Sequence, residues 1–317
     1  MFQTIVEFHK STAIRNLFVW MRWIGVYTAI LVFVRLFFFP VTVNIDPIFI
    51  SLVGTLLSLL LVFRTNAAYD RFWEGRKIWG NLINHSRSMA MMLGAILPKD
   101  DVASRLFFAR HISAFAFALK SHLRNGQFER FRRFDSEIAL QFHDAQHIPN
   151  AVATAIMDKI QDLYRSGALT PPDLLNVKSH HEALVEVIGV CERIKQTPIP
   201  RSYRFYIRLF ITMYLCIMPF LLMDKYGYYT IPAVMFAAYV LMGIEMIADE
   251  IEEPFGFDSS DLPLDEMSIN IMRNVFDILS LQAPELPSRK VVQSLDARTK
   301  AQSGLWFFPF TTKRKKT

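Results

Sequence analysis

The sequence predicts an all-α membrane protein with four transmembrane helices and a large helical domain outside the bilayer. Three observations predict it. Apolar stretches of about the length needed to cross a hydrocarbon core, some 20 residues, recur four times. The segment between the second and third is rich in charge and carries apolar residues at helical spacing. No stretch alternates apolar and polar residues at period two, so no sheet is expected.

The first span is expected at about Leu17–Phe39, closed by Pro40. Arg22 and Arg35 lie near its two ends, where long side chains reach an interface. Trp20, Trp23 and Tyr27 suit an aromatic belt. The second span is expected at about Pro47–Phe63, but nothing in the sequence stops this helix at Phe63. The pattern continues to Leu97, before Pro98. A continuous helix of that length reaches about 75 Å, more than twice a bilayer core. It either leaves the membrane or breaks near Asn66 or Gly75 and turns.

Residues 98–199 form the expected aqueous helical domain. Helical periodicity marks Leu106–Leu123 and Ala151–Leu163, and Phe128, Phe131 and Phe134 sit among arginines in a short amphipathic stretch. Thr170-Pro171-Pro172-Asp173 reads as a helix start. The third and fourth spans are expected at about Phe205–Met223 and Tyr229–Ile247, within residues 200–256. A cytosolic helix follows within 257–282, with its amphipathic pattern over Met267–Leu281. A flexible basic tail is expected over 283–317.

Composition agrees with a membrane part joined to an aqueous part. Of 317 residues, 52% are hydrophobic and 14% aromatic, while 20% are still charged. The net charge of +6 would suggest nucleic acid on a soluble protein. Here the positive-inside bias accounts for it, and no nucleic-acid partner is expected. The loop Val41–Asp46 has no Lys or Arg and the loop Met223–Thr230 has only Lys225, whereas the segment between the second and third spans is dense in both. Both termini and the central domain are therefore expected to be cytoplasmic. Met1–Arg15 lacks the pattern of a cleaved leader, so the first apolar run is expected to remain. Cys191 and Cys216 offer no disulfide framework or metal spacing and are expected to be reduced thiols.

On the second span, Thr55, Leu59 and Phe63 are four residues apart and share one face, beside Leu52 and Leu56. Such a row suits packing against another helix. In a symmetric oligomer it also suits a hydrophobic constriction that gates by dewetting. Arg64, Arg71 and Arg76 follow at the membrane edge. They suit either an electropositive vestibule or headgroup anchoring with salt bridges to Asp70 and Glu74. Asn66 lies close to the same path.

Four blocks carry a family resemblance: W-x-R-W at Trp20–Trp23, F-R-T-N-A-A-Y-D-R-F-W-E-G-R at Phe63–Arg76, I-P-R-S-Y at Ile199–Tyr203, and E-x-x-E-P-F-G from Glu250 to Gly256. Together, and in this order, they resemble the bacterial bestrophin homologues over roughly residues 1–280. The resemblance implies a homopentamer around a central pore, in a bacterial inner membrane, for passive flux of small inorganic ions with chloride and other anions favoured. A sodium-selective channel of the same architecture is the alternative, and a secondary transporter a further one. The resemblance places the hydrophobic neck at Thr55, Leu59 and Phe63, where Thr55 departs from the family's large apolar residues. It places a second, cytosolic aperture near Leu174 or Leu175.

Animal bestrophins bind calcium with an acidic run after Pro-Phe-Gly. This chain keeps only Asp258 and Asp261 there, too few ligands for calcium, so a solvated helix end and turn is expected, with Glu252 or Glu253 pairing with basic residues. His143 and His147 suit one helix face, and His180 and His181 point apart, without the ligand count of a metal site. No nucleophile elbow, phosphate loop or zinc-protease motif is present in the sequence, so no catalysis and no cofactor are expected.

Overall fold

An aspartate and a proline set where the longest helix begins. The Asp46 carboxylate accepts a hydrogen bond from the Ile48 N–H at 2.9 Å, and Pro47 occupies the first helical position, where its missing N–H costs nothing. In the computed structural model, which describes residues 12–37, 46–124, 136–258 and 260–284, the chain forms helices and no strand among the described residues. In chain order these are α1 (Thr12–Phe37), α2 (Pro47–Ile96), α3 (Val102–Leu123), α4 (Ser136–Gln141) and α5 (Ile148–Arg165). They continue with α6 (Pro171–Gln196), α7 (Arg201–Tyr226), α8 (Thr230–Ile251) and α9 (Leu264–Ile278). Of the two outcomes open for α2, the structure shows the unbroken one: a single helix of 50 residues.

The chain divides into two units. The first comprises Met1–Asn81 and Val187–Pro263; the second, Leu82–Glu186 and Leu264–Thr317. Helices α2 and α6 contribute to both.

In the first unit α8 packs against α1 and α7, and α1 also meets α7. Ile24 of α1, Leu57 and Leu61 of α2, Ile207, Ile211 and Leu215 of α7, and Val234 and Ala238 of α8 share one core. The α2 backbone approaches α7 closely. A Cβ on Gly54 would lie 2.8 Å from the Tyr214 hydroxyl oxygen. The Tyr27 hydroxyl of α1 donates to the Cys216 carbonyl of α7 at 3.0 Å. Gly227 ends α7 at φ +53, a region glycine adopts without the Cβ clash, and a 3-10 turn over Gly227–Tyr229 leads into α8.

Charges collect at both ends of this bundle. Arg35 pairs with Asp224 at one end. Arg64, Arg204, Arg208, Glu245, Asp249 and Glu252 meet at the other. Asp46 to Arg64 along α2 is about 27 Å, close to a hydrocarbon thickness of ~30 Å. Between the ends, large apolar side chains face outward: Trp23 and Ile30 on α1, Met213 and Ile217 on α7, Phe236 and Val240 on α8. Exposed apolar surface of this extent marks a membrane or a partner.

Among the described residues, four stretches are long and apolar enough to cross a membrane: Leu17–Phe37, Ile48–Ile96, Val102–Leu123 and Arg201–Ile251. The third, α3, differs from the rest. Its apolar window is 72% buried, against 28%, 17% and 22% in the others, so α3 is a core helix of the second unit. The last contains two helices, α7 and α8. The four spans expected from the sequence correspond in position to α1, the first part of α2, α7 and α8.

In the second unit α3 packs against α5 and α9. Asp101 caps α3 by accepting the Ser104 N–H at 3.0 Å. This bond holds the Asp101 carboxyl below its usual range. Arg105 donates to the carbonyls of Gly94 (2.8 Å) and Pro98 (2.9 Å), closing the end of α2 where intrahelical donors run out. Thr170 and Asp173 cap α6 reciprocally, as their spacing predicts. Lys120 and Arg124 both donate to Asp265 at 2.6 Å, tying the end of α3 to the start of α9.

Some boundaries differ from those the sequence predicts. The last helix spans Leu264–Ile278 rather than Met267–Leu281, and α4 has no counterpart in the expectation. His143 and His147 do not share a helix face. His143 sits in a turn beside Asp144, and His147 is the cap residue of α5, its Nδ1 accepting the Asn150 N–H at 3.2 Å. Pro149 in the first turn places the helix start there. Phe128, Phe131, Phe134 and the basic tail from residue 285 lie outside the described residues.

Candidate pore-lining segment and the charge clamp behind it

Helix α2 presents two unlike faces. Leu57, Leu61, Arg64 and Ala68 form a buried stripe directed into the protomer. About half a turn away, Leu52, Thr55, Leu59 and Phe63 are exposed, and Asn66 and Asp70 continue the same row. Leu52, Leu59 and Phe63 keep 58%, 50% and 57% of their surface, although each is large and apolar. The structure therefore places Thr55, Leu59, Phe63 and Asn66 together on one open face.

Thr55 is less polar than its formula suggests. Its hydroxyl donates to the Ser51 carbonyl at 2.8 Å, within the helix. The donor is thereby satisfied internally, as for serines and threonines that back-bond one turn.

Arg64 is different from the vestibule residue that its position in sequence suggests. It is fully buried. Its guanidinium donates to Glu252 Oε2 at 3.0 Å and to Asp249 Oδ1 at 3.1 Å. The physical reason is helical phase: Arg64 follows Phe63 by 100° and then lies near the Leu57–Leu61 stripe, not the open row. The expected partners Asp70 and Glu74 are replaced by Asp249 of α8 and by Glu252, the residue that caps its end, and Glu74 instead pairs with Arg193.

Arg71 also turns inward. Its Nε donates to the Glu252 carbonyl at 3.1 Å, and its terminal nitrogens donate to the carbonyls of Ile194 and Thr197. Glu252 uses its other oxygen to accept the Ile199 N–H at 3.0 Å. Arg208 bridges Glu245 (2.8 Å) and Asp249 (2.9 Å), and Arg204 reaches Asp249 at 3.5 Å. Gly75 lets Pro254 and Phe255 approach α2; a Cβ there would meet both at 3.2 Å. Three of the four sequence blocks thus converge on one carboxylate, Glu252, which is nearly fully buried rather than part of a solvated helix end.

Sequence reasoning expected Glu252 or Glu253 to pair with basic residues but did not identify Arg64 as the partner or Asp249 as its second carboxylate. A signal was present: an arginine ending one apolar span and a run of carboxylates ending another.

Leu174 and Leu175 stand in the first turn of α6, Leu174 half-buried and Leu175 68% exposed. Cys191 is buried, and burial pushes its thiol up to about 12, so it is inert at neutral pH. His181 Nε2 lies 2.8 Å from the Ala153 carbonyl and His180 Nδ1 lies 3.0 Å from His85 Nδ1, so the neighbouring imidazoles point apart.

Residues 1–277 match the model of the bacterial/fungal bestrophin protein family. Curated relatives include a voltage-dependent anion channel-forming protein of Nostoc sp., 35% identical over 244 residues, covering 74% of this chain and 79% of the relative. A protein of the same description from Ralstonia nicotianae is 33% identical and covers 78% and 81%. A crystal structure of a bacterial bestrophin homologue from Klebsiella pneumoniae is 26% identical, covers 83% of this chain and 98% of that one, and superimposes with a TM-score of 0.77.

Proposed function

This chain belongs to the bacterial and fungal bestrophin family, and from that premise we propose that five copies assemble around an axis to form an ion channel. The α2 segment of each copy lines the conducting path. Leu59 and Phe63 form an apolar neck, with Thr55 at its outer end and Asn66 at its inner end. Rings of such side chains conduct poorly because water leaves a narrow apolar constriction, and a small widening restores it.

The observation that carries this reading is the open face of α2. Leu52, Leu59 and Phe63 lie on the most charge-poor part of the helix, and none of the described residues covers them. Lipid could cover the apolar residues, but the row continues without a change of phase into Asn66 and Asp70. A polar continuation of one helix face suits water on both sides of a constriction.

Arg64 positions the neck rather than lining it. Bound to Asp249 and Glu252, it fixes the phase of α2 one residue after Phe63. Anions are the favoured cargo, because the curated relatives are described as anion channel-forming. The termini and central domain face the cytoplasm, and Leu174 and Leu175 narrow the cytoplasmic end of the path. The host membrane is the bacterial inner membrane.

The test is conduction by purified protein in planar bilayers. Wild type carries a current, and replacing both Leu59 and Phe63 by alanine raises single-channel conductance or open probability severalfold. A double variant with wild-type currents removes these side chains from the gate.

A further inference from the structure

On the reading that the open row of α2 lines the pore, we infer that Asp70 is a charge-selectivity residue: its carboxylates form the first charged ring below the neck and oppose anion passage. This rests on the channel assignment, and it concerns a residue that the neck itself does not include.

The placement follows from helix geometry. Phe63 and Asp70 are separated by two turns, within about 20° of one another in phase and about 10 Å along the axis. Asp70 is exposed, and it makes no ion pair or hydrogen bond among the described residues. The nearest cations are occupied elsewhere. Arg64 is buried between Asp249 and Glu252, and Arg71 donates to three main-chain carbonyls away from the open row. Arg76 lies off the row by phase. The sequence block that reads as basic therefore presents an acid, not a base, to the path.

One cation does share the row. Lys77 is two turns further on, and its ammonium lies 5.8 Å from the centre of the Trp73 ring, which itself stacks on Tyr69. Distance decides between the two. Asp70 is about one Debye length from Phe63 at physiological salt, whereas Lys77 is about 20 Å away and largely screened. An ion at the inner mouth of the neck thus feels the carboxylates first. Five of them on one axis, beside a low-dielectric wall, raise local cation concentration and lower that of anions.

The experiment measures reversal potentials in asymmetric sodium chloride for wild type, Asp70→Asn and Asp70→Glu, each first checked for the same oligomer size. The Asp70→Asn channel is expected to raise the chloride-to-sodium permeability ratio about threefold or more at low salt. Asp70→Glu is expected to keep the wild-type ratio. The difference should shrink between 0.05 M and 1 M salt, as screening shortens from about 14 Å to about 3 Å. A merely structural role would show no such salt dependence. Currents from all three proteins with equal permeability ratios overturn the Asp70 assignment and leave the channel reading standing. No current from wild type overturns both, and a conducting wild type with an Asp70→Glu ratio that matches Asp70→Asn overturns the charge role alone.

Discussion

Glu252 shows how much of this protein turns on single side chains. One oxygen accepts from Arg64, the other from the Ile199 N–H, and its carbonyl accepts from Arg71. A carboxylate this buried is tolerable only with its charge balanced and its lone pairs occupied. Removing Glu252 leaves the buried Arg64 with Asp249 as its one close carboxylate, and removing Arg64 leaves the buried Glu252 with only the more distant Arg204 at 3.9 Å. Arg64→Ala or Glu252→Ala is therefore expected to cost about 3–5 kcal/mol. The Arg64→Leu, Glu252→Leu double variant should lose much less than the two single leucine variants together, because it removes both charges from the interior. Thermal unfolding of the detergent-solubilised protein would measure this. Additive losses would show that the two side chains do not act as a pair.

At the scale of elements, the hydrophobic pattern made the helices legible and helical phase decided their chemistry. The helices α1, α2, α7 and α8 show in the sequence because a run of about 20 apolar residues, the length that matches a hydrocarbon core, stands out from its surroundings. The start of α6 shows at Thr170 and Asp173 because capping is local chemistry. The unbroken course of α2 through Asn66 and Gly75 was not legible. It depends on Arg64, Arg71 and Gly75 meeting Glu252, Pro254 and Phe255, nearly two hundred residues further on. The row Thr55, Leu59, Phe63 and the offset of Arg64 from it could be read from spacing, but which of the two faces packs against α7 and α8 could not. The α3–α9 tie was hidden for the same reason. Burial would raise the Asp265 carboxyl, but the Lys120 and Arg124 charges and hydrogen bonds pull it below its usual range. A depressed acid stabilises the fold above its unfolded value of about 3.9, and that contribution is lost as pH falls through the lower folded value. Asp265→Asn should therefore lower the melting temperature at pH 7. The difference from wild type should narrow as pH drops below about 4. A difference that stays constant down to that range would contradict the ion-pair account.

At the scale of the molecule, the open face of α2 is the feature the proposed assembly has to account for. The first unit leaves Leu52, Leu59 and Phe63 of α2 open, and lipid on that face would also touch Asn66 and Asp70. In the proposed channel, symmetric copies would turn the whole row toward shared water and leave the outward apolar faces of α1, α7 and α8 to lipid and neighbours. The charge ends of the bundle, about one hydrocarbon thickness apart, would then sit at the two membrane surfaces. The most direct test is an image reconstruction of the purified protein in a lipid nanodisc. Five copies with Leu59 and Phe63 nearest the axis is the predicted result. A single copy, or an oligomer whose α2 row faces lipid, would contradict it.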